Sequence, residues 1–161
     1  MVVCVQLHLM DARSNPGLIE NVCAALGNMA ETQAVRPSLM AADAITGIVH
    51  ALRRSPDTMS VQYDGVVALR FLAEDWDLCP GTQFVAPLVG CGGLRVLGDT
   101  LKAYQGDELV LEATRRVFRR IGLHCAGDTA LRAAVAQQAG VLGVMASLGK
   151  SVRKEFLGDL L

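Results

Sequence analysis

The 161-residue chain weighs 17.1 kDa and carries a formal net charge of −1, which is the size of one domain. Apolar residues make up 52% and charged residues 19%, which excludes a disordered chain, and aromatics at only 4% leave Ala, Leu, Val, Ile and Met to fill a core that suits packed helices. The near-neutral balance lacks the basic excess of a dedicated nucleic-acid-binding domain.

In chain order, Met1 to Met10 is apolar but has no basic n-region, and Asp11 and Arg13 stand where a cleavage site would follow. It reads as the buried face of a helix, with Val2, Val5 and Leu9 in one stripe. The breaker Asn15-Pro16-Gly17 leads into a long helix, Leu18 to Ala30, with Leu18, Val22, Leu26 and Met29 inward. A short helix over Gln33 to Ala42 is limited by Pro37. Ile45, Ile48 and Leu52 repeat the first stripe, Ser55-Pro56-Asp57 breaks the chain again, and Val61 to Ala73 is the second long helix, burying Val61, Leu69 and Leu72.

Thr82 to Val89 is another short helix, limited by Pro87, and Gly90-Cys91-Gly92-Gly93 is a sharp inter-helix turn. Leu94, Leu97 and Leu101 form the next stripe, Gly106-Asp107 the next breaker, and Val110 to Gly122 the third long helix, with Val110, Val117, Phe118 and Ile121 inward. Asp128 to Gln138 is a third short helix, and Val141, Val144 and Leu148 form a last stripe after the turn at Ala139-Gly140. The apolar stretch from Ala139 to Gly149 is too short to span a bilayer, and Arg132, Gln137 and Gln138 precede it, so no membrane segment is expected.

These elements repeat. The three long segments, starting at 18, 61 and 110, align without gaps, and a stripe begins 16 residues ahead of each, at 2, 45 and 94. Three helices per unit in this order resemble the armadillo repeat family. The resemblance is carried by the long-helix pattern small-small-x-Leu-x-x-Leu/Met-Ala, closest in Val61 to Ala73 and near in Leu18 to Ala30, and by the Gly-Gly-Leu and Ala-Gly-Val entries to the stripes at 92–94 and 139–141. Val110 to Gly122 departs from it with four arginines. The resemblance implies an all-α, right-handed α-solenoid of about three and a half three-helix repeats, with units near 1–30, 31–73, 78–122 and 128–161 in a single domain over 1–161. HEAT-like repeats and an irregular helical bundle are the competing architectures. The incomplete end units carry no polar caps, which leads to the expectation that a partner or further repeats cover both ends.

Catalytic and cofactor motifs fail on inspection. Leu148-Gly149-Lys150-Ser151 has Val144 where a phosphate-binding loop needs glycine, and Gly90-Cys91-Gly92-Gly93 lacks the third glycine of a dinucleotide fingerprint. His8, His50 and His124 share no repeat-equivalent position, and His124-Cys125, at a helix end, reads as a capping or packing pair. Cys4, Cys23, Cys79, Cys91 and Cys125 are odd in number and form no C-x-x-C pair, which points to reduced, buried thiols and a reducing, cytoplasmic compartment, with a cytoskeletal or ciliary address as a variant. No enzyme, cofactor, metal or small-molecule substrate is expected.

The armadillo resemblance implies a concave groove lined by the long helices. Steps of four along the open face give Glu20, Ala24 and Asn28, then Tyr63, Val67 and Phe71, then Glu112, Arg116 and Arg120. Asn28 matches the asparagine with which many members hold an extended peptide backbone, but Phe71 and Arg120 replace it in the other units. Ala24, Val67 and Arg116 replace the groove tryptophan of nuclear-import members, so that activity does not carry over. The expected groove is Asn28, Tyr63, Val67, Phe71, Arg116 and Arg120, with the aromatics as apolar anchors. Arg115, Arg116, Arg119 and Arg120 cover two adjacent faces, so at most one pair is expected to point into the groove toward an acidic partner, unless Glu112 pairs with Arg116 on a merely solvated face. The expected function is a non-catalytic protein–protein interaction scaffold binding an extended acidic or apolar segment. The alternative is a structural subunit of a large assembly whose neighbours bury its ends and convex face.

Overall fold

A computed structural model describes residues 15–74, 81–125 and 127–137 of the chain. The stripes at Val2–Leu9 and Val141–Leu148, the Lys150 motif, His8, Cys4 and Cys79 lie outside the described residues.

Every regular element among the described residues is helical, and there is no strand. Helix α1 spans Pro16–Glu31, a 3₁₀ turn follows at Gln33–Val35, and α2 spans Arg36–Ala41. Then come α3 (Ala44–Arg54), α4 (Met59–Leu72), α5 (Gly81–Gly90), α6 (Gly93–Ala103), α7 (Glu108–Cys125) and α8 (Thr129–Gln137). Helix starts follow the predicted breakers. Asn15 caps α1 by accepting from the Leu18 amide at 3.3 Å, Asp107 caps α7 through the Val110 amide at 3.0 Å, and Asp128 caps α8 through the Leu131 amide at 2.9 Å.

The turns into α3 and α6 are alike. Asp43, just before α3, has φ of 58°, and Gly92, just before α6, has φ of 74°. Glycine occupies this left-handed region freely, while Asp43 accepts a 2.6 Å hydrogen bond from Thr46 Oγ1 there. Helices α5 and α6 meet at a bend of 78° across this turn. Gly93 sits so close to Leu88 that a Cβ would fall 2.4 Å from its side chain.

The three long helices pack in chain order, α4 against both α1 and α7. The stripe helices pack as α3 on α6, and the short ones as α5 on α8. A continuous core runs through them, with Leu26, Ile48, Leu69, Leu88, Leu97, Val117 and Phe118 fully or almost fully buried. The expected stripes of α4 and α7 are buried. That of α1 needs correction: Leu18, Val22 and Met29 are only half-buried, and the inward row is Ile19, Cys23, Leu26 and Ala30. Small residues belong where α1 and α4 approach closely, as at Gly27, whose Cβ would lie 3.7 Å from the Asp64 carbonyl. Counting only large apolar side chains misplaced that face by one residue.

Buried polar groups tie successive elements together. Gln62 donates to the Leu52 and Ser55 carbonyls at 2.7 and 3.0 Å, which closes the end of α3, and accepts from Thr100 of α6 at 2.5 Å. At the surface, Arg53 donates to the Cys91 carbonyl at 2.7 Å, and the Tyr104 hydroxyl to the Pro56 carbonyl at 2.9 Å.

His124 is buried, and its Nε2 donates to the Ala73 carbonyl at 3.1 Å. Burial holds its pKa below the 6.5 of a free imidazole, the hydrogen bond opposes that shift, and the charge of Arg120 adds to it. The unfolded chain therefore binds this proton more readily than the folded one. The melting temperature is expected to hold above neutral pH and to fall as pH drops through 6.5, with a shallower fall in H124Q; thermal melts across pH 5–8 check this.

Candidate functional site

The sequence-predicted groove residues fall into two adjoining recesses. The first, of about 290 Å³, lies between α1 and α4. Helix α1 contributes Ala24, Gly27, Asn28 and Glu31; α4 contributes Tyr63, Asp64, Val67, Arg70 and Phe71. Four of the expected residues, Asn28, Tyr63, Val67 and Phe71, are thus brought together. The second, of about 450 Å³, lies between α4 and α7 and is lined by Arg70, Glu74, Glu112, Arg116, Arg119, Arg120 and Leu123. It holds the other two, Arg116 and Arg120. Arg70 borders both recesses.

Phe71 is half-buried against the core, so it is neither a free ledge nor a pure core residue. Its ring carries the Arg70 guanidinium 4.1 Å from its centroid and that of Arg36 at 5.7 Å. Arg70 Nε is buried and makes no hydrogen bond among the described residues; Glu74 Oε1 lies 3.8 Å away. Arg36 is 6% exposed and reaches Glu74 at 3.9 Å.

On α7, Arg116 Nε pairs with Glu112 Oε1 at 2.8 Å, and Arg115 with Glu108 at 3.4 Å, so the i, i+4 pairing foreseen for Glu112 is present. That pair is about half exposed, and such a pair contributes only about 0.3–0.5 kcal/mol. Arg120 makes no ion pair among the described residues. Three of the four clustered arginines line the recess, where sequence reasoning expected two.

The first recess is acidic by contrast. Burial, reinforced by the charge of Glu20, raises the pKa of Asp64 above its ordinary value, and Glu31 stands nearby on α1.

Comparison of the chain with protein-family models, with curated proteins and with solved structures found no match. The site is therefore read from its own chemistry. Among the described residues, no group of three His, Cys, Asp or Glu side chains could hold a metal ion. Cys23, Cys91 and Cys125 are free thiols; burial pushes Cys23 up to about 12 and Cys125 to about 11, which keeps both in the unreactive thiol form at neutral pH. No single helix among the described residues is long and apolar enough to cross a membrane.

Arg70, Glu74, Glu31 and Leu123 were not singled out from the sequence, and Arg119 was named only as part of the arginine cluster. Steps of four trace one line along a helix, whereas a groove floor is a band that takes both i+3 and i+4 neighbours. Residues 67, 70 and 71 form that band on α4, with Glu74 just past its end, and 116, 119, 120 and 123 form it on α7.

Proposed function

We propose that the chain is an armadillo-like α-solenoid acting as a non-catalytic protein–protein interaction module. Its long helices form a groove that takes an extended segment of a partner, with an acidic group over α7 and an apolar one near Phe71. One observation carries this reading: the recess walls occupy the same register in all three long helices. Ala24, Val67 and Arg116 are aligned positions; so are Gly27, Arg70 and Arg119; so are Asn28, Phe71 and Arg120; so are Glu31, Glu74 and Leu123. A chance hollow between unrelated helices has no reason to follow an internal sequence repeat. The packing of α1, α4 and α7 in series, with α3 on α6 and α5 on α8, agrees with it. The unreactive thiols suit a reducing compartment.

The test is fluorescence anisotropy with a labelled, leucine-containing acidic peptide. The double variant R116E/R120E is expected to weaken binding at least tenfold, about 1.4 kcal/mol, with the wild-type affinity falling as salt rises. Its melting temperature should stay near the wild-type value, because the ion pair it breaks among the described residues is a half-exposed one. Equal binding by both proteins would overturn the groove and favour a structural subunit held by its ends and convex face.

A further inference from the structure

The groove reading leaves open what kind of anion the α4–α7 recess accepts. We propose that this recess is a phosphate-monoester site, reading a phosphorylated serine or threonine in the bound segment in preference to aspartate or glutamate. The inference rests on the groove reading and specifies its anionic subsite.

Charge is the first observation. Four guanidinium groups, Arg70, Arg116, Arg119 and Arg120, share the recess with two carboxylates, Glu74 and Glu112. The balance is two positive charges, matching a phosphate dianion and exceeding what one carboxylate neutralises. Size is the second: the open recess of about 450 Å³ accommodates a tetrahedral phosphate with its ester arm.

The donors are the third. Arg70 is held in place by the Phe71 ring at 4.1 Å and by Glu74 at 3.8 Å, yet its buried Nε–H makes no hydrogen bond among the described residues. A buried donor left unmade is costly, so a turn of this guanidinium toward an acceptor oxygen in the recess is favoured. Arg120, across the recess on α7, makes no ion pair among the described residues and presents a second planar fork. Arg70 of α4 and Arg120 of α7 line the same recess, and a tetrahedral group offers oxygens to donors on both helices, whereas a planar carboxylate has only two to share.

The neighbouring recess narrows the partner further. Asp64 and Glu31 border it, and Asp64 is already disfavoured as an anion by burial and by Glu20. A continuous polyanion such as RNA would run its next phosphates against these carboxylates. A single phosphorylated side chain, with an uncharged or basic residue toward α1, avoids that repulsion.

The experiment uses three labelled peptides that differ at one position, bearing serine, phosphoserine or glutamate, and reads anisotropy against the full chain. The phosphoserine peptide is expected to bind at least tenfold tighter than the glutamate one, and to lose that advantage between pH 7.5 and 5.5 as the dianion takes up a proton near pH 6. R70K keeps the charge but loses the fork and should bring the phosphoserine and glutamate affinities within about threefold; R120Q, at a half-exposed position, is the second variant should R70K fold poorly. Equal wild-type binding of the phosphoserine and glutamate peptides overturns the phosphate site and leaves the groove standing. Failure of all three peptides to bind overturns the groove reading and the phosphate site with it. Tighter binding of a single-stranded RNA oligonucleotide than of the phosphoserine peptide overturns the phosphopeptide assignment.

Discussion

Replacing Phe118 with alanine is expected to destabilise the protein by about 3–5 kcal/mol, the usual cost of emptying a buried aromatic site. Phe118 is completely buried on α7, which packs against α4, α5, α6 and α8 at once. A cavity there is bounded by several helices that would all have to move to close it, so relaxation recovers little. Leu26 and Leu69 occupy the aligned positions of α1 and α4 and are equally buried. Phe118→Leu therefore installs the residue found at the aligned positions of α1 and α4, and its loss should be less than half that of Phe118→Ala. Urea unfolding followed by circular dichroism measures both. Leu109→Ala on the same helix, at a side chain 63% exposed, is the control and should change the midpoint little. Similar losses at Phe118 and Leu109 would mean that burial does not govern this helix.

Much of this architecture is legible in the sequence because two periodicities coincide. The 3.6-residue pattern marks Val61–Leu72 and Val110–Ile121 as helices with one wet face, and the recurrence of Ile45-Ile48-Leu52 as Leu94-Leu97-Leu101 marks equivalent elements. The breakers work for local reasons that short-range chemistry predicts, as with the Asp107 cap on α7 and positive φ at Gly92. Less legible is anything that depends on which of two adjacent positions faces a neighbour. In α1 the inward row runs through Cys23 and Ala30, small enough to let α4 approach, and hydrophobicity ranks them below Val22 and Met29. The groove shows the same limit: Phe71 was foreseen, but Arg70 beside it was not, because an arginine on a mostly apolar helix reads as surface until its ring contact and buried Nε are seen. Gln62 was not foreseen at all. Its amide bonds α3 to α6 through groups 10 and 38 residues away, which no periodicity encodes.

Arg36→Met is expected to cost about 3 kcal/mol although it swaps a charge for a better core residue, since breaking a buried charge network typically costs 3–5 kcal/mol and methionine returns part of that as apolar packing. Arg36 sits just after the C-terminus of α1 with 6% of its surface exposed. Its Nε donates to the Ala30 carbonyl at 2.6 Å and its Nη2 to the Glu31 carbonyl at 3.1 Å, two of the acceptors that a helix end leaves without amide partners. The same guanidinium lies 5.7 Å from the centre of the Phe71 ring and 3.9 Å from Glu74, so it joins the end of α1 to the end of α4. Methionine fills comparable volume but supplies none of these donors, leaving the buried Ala30 carbonyl and the part-buried Glu31 carbonyl without this partner, and Glu74 with Arg70 as its ion-pair partner among the described residues. Arg36→Lys separates the two components: its ammonium keeps the charge near Glu74 but cannot reproduce the fork that serves two carbonyls, so its loss should fall between those of wild type and Arg36→Met. The α1–α4 recess, as the proposed binding site, gives an independent readout. With Arg36 gone, Phe71 loses one of the two cations on its ring, and the floor of the α1–α4 recess loosens. The affinity for a leucine-containing acidic peptide should then fall in the folded Arg36→Met protein, measured well below its melting temperature. An unchanged melting temperature in Arg36→Met would show that water, and not this side chain, satisfies the end of α1.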